Sequence, residues 1–190
     1  MIKSIFASTA VLVVSGAAAS VYNESIDGEL SGDRFNPTLV SVEAGLNAVT
    51  MQVVDSGFPG GDRDYFSISI GAGQSIDSIV VTDAFNPNGG FDSVAFVGLA
   101  FGNFFDFDPD TFNGPGLAGF VLTDMSVVGT ESIGALSGGL ATLGAGDYSF
   151  WVQQTGQDLT ELTLAINVVP SSGAMGILAL GGLAAVRRRR

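Results

Sequence analysis

Apolar and polar residues alternate with a period of two through much of the middle of the chain. This alternation recurs in four segments, at 48–53, 64–70, 148–153 and 162–168. Because successive side chains of a strand point to opposite faces, each segment predicts a half-buried strand with apolar residues inward and polar residues outward. Residues 76–82 and 94–101 carry apolar side chains on both faces, which predicts two central strands covered on both sides.

Turn-forming residues separate these segments. Clusters of glycine, proline, asparagine and aspartate lie at 58–62, 86–90 and 113–116, where they favour reversals of the chain. No helical period within the domain is long enough to predict a helix, and the small residues of 129–146 predict a loop with one short strand. The spacing predicts a single all-β domain at 20–168, an antiparallel β-sandwich or jelly roll.

The first residues have the pattern of a signal peptide. Lys3 is followed by an apolar run at 5–14 and by the small residues Ala17, Ala18 and Ala19, an order that is typical of a cleaved secretory signal. We therefore predict a helical signal peptide at 1–19, passage through the Sec translocon and cleavage by signal peptidase after Ala19. An uncleaved membrane helix is the alternative.

The last residues form a second apolar segment with a cationic end. An uncharged run at 173–186 follows the motif at 169–172 and precedes four arginines at 187–190. As a helix this run would be about 21 Å long, short of a hydrocarbon core of about 30 Å, and arginine resists crossing the bilayer. The layout predicts a short hydrophobic helix that anchors the chain transiently in the inner membrane, with a permanent anchor as the alternative.

In its order of proline motif, apolar segment and arginine cluster, the tail at 169–190 resembles the PEP-CTERM sorting signal of Gram-negative bacteria. The tripeptide position reads Val-Pro-Ser, without the glutamate of the name-giving motif. The resemblance implies processing by an exosortase-type transpeptidase and delivery to the cell envelope, the cell surface or the extracellular matrix. The residues expected to act in sorting are Val169, Pro170, Ser171, Arg187, Arg188, Arg189 and Arg190.

Composition restricts the chemistry that the predicted mature part can perform. It carries all 19 acidic residues against Arg34 and Arg63, a net charge of 2 − 19 = −17 that repels nucleic acid and attracts cations. Histidine and cysteine are absent and Lys3 is the only lysine, which excludes Ser-His-Asp, Cys-His and Ser-Lys catalysis. We therefore predict that the protein is not an enzyme, with a carboxylate-pair glycosidase as a remote alternative.

Two groups of aspartates are candidates for binding Ca²⁺. Asp106, Asp108 and Asp110 alternate in a predicted loop, where they could turn several hard oxygens toward one ion, although the pattern is not that of an EF-hand. Asp62 and Asp64 precede a strand, where they could join carboxylates or carbonyls from another loop. The alternatives are a solvated acidic loop and a turn capped by aspartate. No cofactor is required, and Ca²⁺ is a candidate ligand.

Trp151 is a candidate for binding carbohydrate. It lies on the polar side of its predicted strand and is followed by Gln153, and an exposed aromatic ring beside an amide suits an extracellular polysaccharide. The alternative is that Trp151 packs under a neighbouring loop.

Three short motifs, at 28–33, 62–68 and 145–151, resemble landmarks of bacterial pre-peptidase C-terminal-like β-sandwich domains. They are an early Gly-Glu-Leu-Ser-Gly-Asp, an Asp-Arg-Asp-Tyr-Phe strand and a late Gly-Asp-Tyr strand. The resemblance implies a non-catalytic accessory or binding module. We predict a structural or adhesive role in the cell surface or biofilm matrix, and the alternative is a calcium-assisted carbohydrate-binding module of the extracellular matrix.

Overall fold

The alternating segments of the sequence form strands. A computed structural model describes residues 19–54, 61–86, 94–111, 116–123, 126–155 and 159–171. The strands in these ranges are β1 (Ala19–Asn23), β2 (Thr38–Leu39), β3 (Gly45–Val53), β4 (Arg63–Ile70), β5 (Gln74–Phe85), β6 (Ala95–Phe101), β7 (Gly119–Thr123), β8 (Gly146–Gln154) and β9 (Thr160–Pro170). The helical elements are α1 (Glu24–Asp27), a 3₁₀ turn (Pro109–Thr111) and α2 (Ile133–Leu136).

The strands form two sheets. The first has the order β1-β3-β9-β5 and the second the order β2-β4-β8-β6-β7. The long pairings are antiparallel, as predicted, with β9 between β3 and β5 and β8 between β4 and β6. The short strands β1 and β2 differ, because they join β3 and β4 in parallel.

One apolar core lies between the two sheets. It is built from alternate residues of both, among them Val49 and Met51 of β3, Phe66 of β4 and Phe150 of β8. The rings of Phe66 and Phe150 stack with their centroids 4.6 Å apart and their planes 3° apart. Burying each such side chain stabilises the fold by about 1.5–3 kcal/mol. The predicted inward faces are therefore confirmed, and the fold is an all-β sandwich of two sheets.

The prediction that residues 76–82 form a central strand is wrong. They belong to β5, which is the last strand of the first sheet in the described chain. The outer edge of β5 is covered by the segment after β7, through bridges from Ile76 to Leu143 and from Val80 to Glu131. This cover lets an edge strand be apolar, since its free backbone groups are paired. The other prediction of a central strand is confirmed, because β6 lies between β8 and β7.

Residues 129–146 also differ from the prediction of a loop with one short strand. They contain the one-turn helix α2, and its residues Ile133 and Leu136 are buried in the core. Gly119 of β7 lies so close to α2 that a Cβ there would be 2.0 Å from the Ala135 carbonyl oxygen. The absence of a side chain at Gly119 therefore permits close packing of the helix on the sandwich.

The outer face of the second sheet is covered, where a solvated polar face was expected. Tyr65 of β4 and Trp151 of β8 are buried there beneath residues 102–111, together with Phe105 of that segment. The ring of Phe105 lies 5.6 Å from that of Tyr65 and 6.4 Å from that of Trp151. The sheet therefore packs on both sides, with a second, smaller cluster outside the main core.

Residues 1–18 of the predicted signal peptide lie outside the described residues, and so does the predicted hydrophobic helix at 173–186. Described residues begin with β1 at Ala19 and end with Ser171, whose amide donates to the Gly73 carbonyl oxygen at 2.8 Å. Within the described ranges, no helix has both the length and the hydrophobicity needed to cross a membrane.

We predict that Phe105→Ala lowers the free energy of unfolding by about 3–5 kcal/mol, because it removes a ring that is 1% exposed from the outer cluster. The neighbouring Phe104 is 43% exposed, so Phe104→Ala should change stability by no more than about 1 kcal/mol. Urea denaturation of both variants measures the difference. Similar losses in the two variants would show that residues 102–111 do not cover the sheet as described.

Candidate functional site

Three carboxylates meet at one end of the sandwich. They belong to Glu24, Glu29 and Asp64, and one oxygen of each lies within 4.8 Å of the others. Glu24 and Glu29 come from the connection after β1 in the first sheet, and Asp64 comes from β4 in the second sheet. The cluster of these three residues, called here the carboxylate cluster, therefore joins the two sheets.

Asp64 occupies a core-facing position of β4. Its side chain lies on the same side of the strand as Phe66 and Ile68, and its partner on β8 is the core residue Val152. Asp64 is 1% exposed. Neither of its carboxylate oxygens has a hydrogen-bond partner, which is rare for a buried polar group and calls for a physical explanation.

Local turns bring Glu24 and Glu29 to this position. Asn23 caps the single turn of α1 by accepting from the Ser25 amide. Gly28 then ends the helix with a φ of 101°, and its amide donates to the Glu24 carbonyl oxygen. This left-handed conformation suits glycine and turns the chain so that Glu29 comes back beside Glu24.

Backbone amides hold the Glu24 carboxylate in place. Its Oε1 accepts from the Leu30 amide at 2.9 Å, and its Oε2 accepts from the Gln52 amide of β3. Leu30 itself is buried in the core. By contrast, the Glu29 side chain is exposed to solvent. The cluster therefore has a fixed inner side at Asp64 and Glu24 and an outer side that solvent reaches at Glu29.

Burial and mutual repulsion control the charge of the cluster. Burial, together with the smaller effect of the charges of Glu24, Asp62 and Glu29, raises the pKa of Asp64 to about 9. Burial also raises the pKa of Glu24, against the opposing effect of the backbone hydrogen bonds from Gln52 and Leu30. Without a cation nearby, Asp64 is therefore protonated at neutral pH.

The two residues of the predicted Asp62 and Asp64 site separate in the structure. Asp64 joins the carboxylate cluster, whereas the Oδ2 of Asp62 accepts from the Val54 amide at 3.1 Å and closes the connection between β3 and β4. Glu24 and Glu29 were not singled out as ligands from the sequence. Glu24 and Glu29 have no distinctive sequence spacing from Asp64. They follow β1 of the first sheet, and only the fold brings them to Asp64 in the second sheet.

The aspartates of the predicted loop site at 106–110 do not converge in the described structure. Asp110 pairs with Arg63, and this hydrogen-bonded pair lowers the pKa of Asp110. The Oδ1 of Asp108 accepts from the Asp110 amide at 3.0 Å, and Asp106 is exposed. A guanidinium group therefore contacts Asp110, one of the three candidate Ca²⁺ ligands of this loop.

Both arginines of the predicted mature part hold the covering segment 102–111. Arg34 donates through Nη1 to the Phe107 carbonyl oxygen, and the Arg34 carbonyl oxygen accepts from the Phe105 amide at 3.0 Å. Arg63 contacts Asp110 and also donates through Nε to Gln153 at 3.1 Å. They are therefore committed to the outer face of the second sheet, on the side of β4 opposite to Asp64.

Trp151 and Gln153, the two candidates for binding carbohydrate, are both buried. Trp151 is 6% exposed and Gln153 is 8% exposed. The Trp151 ring lies 4.6 Å from that of Phe96 and 6.1 Å from that of Phe107, so it packs beneath the covering segment, as the alternative stated. The physical reason is that residues 102–111 cover the outer face of the second sheet with apolar side chains. The alternation along β8 alone would also fit a face exposed to solvent.

The predicted processing residues fall at the two ends of the described chain. Val169 and Pro170 are the last residues of β9 and pair with Ser75 and Gln74 of β5. Ala19 is the first residue of β1. Ser171 follows β9 and donates to the Gly73 carbonyl oxygen, and the remaining residues of this group, Ala17 and Arg187 to Arg190, lie outside the described residues.

Comparison of the chain with protein-family models, with curated protein sequences and with solved structures found no match. The resemblances to the PEP-CTERM signal and to pre-peptidase C-terminal-like domains therefore stay predictions.

We predict that, in the presence of a chelator, the free energy of unfolding falls as the pH is raised from about 5 to 8.5. The folded state retains the Asp64 proton up to a pKa of about 9, whereas the unfolded chain releases it near 3.8, so raising the pH favours unfolding. Asp64→Asn should remove most of this slope, as measured by urea denaturation at several pH values.

Glu43→Gln is the matched control for this pH experiment. It removes one exposed charge near the start of β3, at the end of that strand away from Gln52. Its pH slope should match that of the unchanged protein. An equal slope in Asp64→Asn and in the unchanged protein would contradict a buried, protonated Asp64.

Proposed function

We propose that this is an exported, non-catalytic protein with a structural or adhesive role in the cell envelope or extracellular matrix, sorted there by its C-terminal tail. The single observation that carries the proposal is the extent of the sandwich. Within the described residues its strands run from Ala19 to Pro170, an interval that lies between the two apolar segments of the sequence. The proposal assigns those two segments to export and sorting.

The position of the first strand is compatible with cleavage after Ala19. Removing Ala19 would leave Ser20 to Asn23 of β1, and their pairing with Ala48 to Thr50 of β3 would persist. The mature chain would therefore begin within an ordered strand, and export need not remove any part of the core.

At the other end, β9 runs directly into the predicted sorting motif. Ser171 is tied to the Gly73 carbonyl oxygen, and Pro170 lies opposite Gln74. A cut beyond Ser171 would leave the strand whole, whereas a cut between Val169 and Pro170 would shorten it. We therefore place the processing point after Ser171, so that the exosortase-type enzyme acts close to the folded domain.

The strand order supports the jelly-roll form of the sandwich. Strands β3, β9 and β5 lie opposite β4, β8, β6 and β7, and the chain crosses between the sheets at every connection from β1 to β6. The bridges of Glu131 and Leu143 to β5 supply the position of a further strand beside it. Such folds present loops at both ends and serve in many binding and structural proteins.

A calcium-assisted carbohydrate-binding module is the second candidate, and one surface feature favours it. Phe35 and Phe104 are 57% and 43% exposed, with ring centroids 6.4 Å apart. Phe35 lies at a cavity of about 260 Å³ that is also lined by Arg34, Arg63 and Tyr65. Exposed aromatic rings beside polar groups suit sugar rings, so this surface replaces the buried Trp151 as the place where a polysaccharide would bind.

Replacing the four terminal arginines tests the sorting proposal. In the organism that makes the protein, we expect the unchanged chain to reach the cell surface without residues 1–19 and without the tail. Changing Arg187 to Arg190 to glutamine should give an unprocessed chain that is no longer held in the inner membrane and does not reach the cell surface, because the cationic stop is lost. The control changes the same residues to lysine, and intact-mass spectrometry of each fraction gives both termini.

The proposal fails if the glutamine variant reaches the surface in the same processed form as the unchanged protein. It also fails if the unchanged protein is recovered at full length from the inner membrane with Arg187 to Arg190 still present.

The second candidate predicts that Phe35→Ala lowers retention of the protein on the extracellular polysaccharide of its own organism. Phe120→Ala is the control, since Phe120 is similarly exposed but lies on β7. Retention is measured in a polysaccharide pull-down at constant ionic strength. If both variants bind as well as the unchanged protein, the carbohydrate-binding candidate is rejected and the structural role is retained.

A further inference from the structure

We propose that the carboxylate cluster of Glu24, Glu29 and Asp64 binds one Ca²⁺ ion. The ion would link strand β4 to the turn that follows β1. This site is separate from the sorting tail and from the cavity beside Phe35. It goes beyond the proposed structural role and would supply the calcium of the second candidate, and it can be present or absent whatever the destination of the protein.

The chemistry of the donors selects a hard cation. All three side chains offer carboxylate oxygens, and the chain contains no histidine or cysteine. Zinc and copper sites generally use such nitrogen or sulfur ligands, whereas Ca²⁺ takes six to eight oxygens in flexible geometry. Three carboxylates, binding through one or two oxygens each, supply part of that shell, and water that enters beside the exposed Glu29 can complete it.

The decisive observation is the state of Asp64. Its side chain is 1% exposed, its two oxygens have no hydrogen-bond partner, and one oxygen lies within 4.8 Å of oxygens from Glu24 and Glu29. A buried carboxylate without partners is strongly unfavourable. An ion held between the three carboxylates would satisfy Asp64 and remove the repulsion among all three.

No arginine described in the structure can serve instead of a metal ion. Arg63 follows Asp62 and precedes Asp64 in sequence, but its guanidinium contacts Asp110 and Gln153 on the other face of the sheet. Arg34 donates to the Phe107 carbonyl oxygen on that same face. The cluster is thus a concentration of negative charge that the described cations do not neutralise.

The ion would act as a cross-link between the sheets. Glu24 immediately follows β1, which lies at the edge of the first sheet and pairs only with β3 in the described structure. Asp64 belongs to the second sheet. A bound Ca²⁺ would therefore hold the first strand and the turn at 24–30 against β4. Extracellular calcium modules bind with a Kd of about 0.1–1 mM, and we expect an affinity in this range.

Equilibrium dialysis with ⁴⁵Ca²⁺ tests the site directly. The full chain is purified in a non-ionic detergent, stripped with EGTA and dialysed against Ca²⁺ from about 0.01 to 10 mM, a range that brackets the expected affinity. We expect one saturable site per chain, together with a rise in the melting temperature as the site fills. Competition with an equal concentration of Mg²⁺ should displace little Ca²⁺.

Glu29→Gln is the central variant. Its side chain is exposed, so the variant should fold and melt in EGTA as the unchanged protein does, while its Ca²⁺ affinity should fall at least about tenfold because one charged ligand is lost. Asp64→Asn should abolish saturable binding. Glu43→Gln and Asp106→Asn are the controls, since they remove exposed charges outside the cluster, and both should bind Ca²⁺ normally.

Four results would overturn the proposal. The first is an absence of saturable binding by the unchanged chain, and the second is unaltered binding by Glu29→Gln. The third is a loss of melting temperature in Glu29→Gln that is the same in EGTA and in Ca²⁺, which would indicate a merely structural role. The fourth is equal displacement by Mg²⁺, which would show that the cluster does not select Ca²⁺.

Discussion

The packing of two sheets through alternate apolar residues is the constraint on which the rest of the molecule depends. With no cysteine in the chain, no disulfide can restrict the unfolded state. Stability must come from the buried faces of the sheets and from the groups that neutralise the acidic side chains. Residues such as Phe66 and Phe150 meet in the centre of this core. Asp64 stands in the same row of β4 as Phe66, so the one carboxylate in that row has to be accommodated by its neighbours.

Arginines lie on the outer face of the second sheet, whereas the carboxylate cluster contains only acidic side chains. On the outer face of the second sheet, Arg34 and Arg63 bind the segment 102–111 over Tyr65 and Trp151. At the end of the sandwich, the carboxylate cluster has no such cation in the described structure. An acidic protein with two arginines in its predicted mature part thus uses both to cover one face. The remaining concentration of negative charge requires a proton or a metal ion.

Local patterns in the sequence were enough to predict the inward faces, because a period of two is a property of each strand alone. They could not show that β5 lies at a sheet edge or that residues 102–111 bury Trp151, since both depend on contacts between segments distant in sequence. Asp64 was recognised as a candidate ligand, but Glu24 and Glu29 were not. They reach Asp64 through the turn at Gly28 and the pairing of β1 with β3, neither of which has a local signature of metal binding.

The protonation and ligation state of Asp64 is most directly read from the ¹³C NMR shift of its side-chain carboxyl. The account predicts a protonated carboxyl at pH 7 in EGTA, with a midpoint near the pKa of about 9, and an ionised carboxylate at the same pH once Ca²⁺ is in the millimolar range. A carboxylate that is already ionised at pH 7 in EGTA, and whose shift does not respond to Ca²⁺, would contradict it.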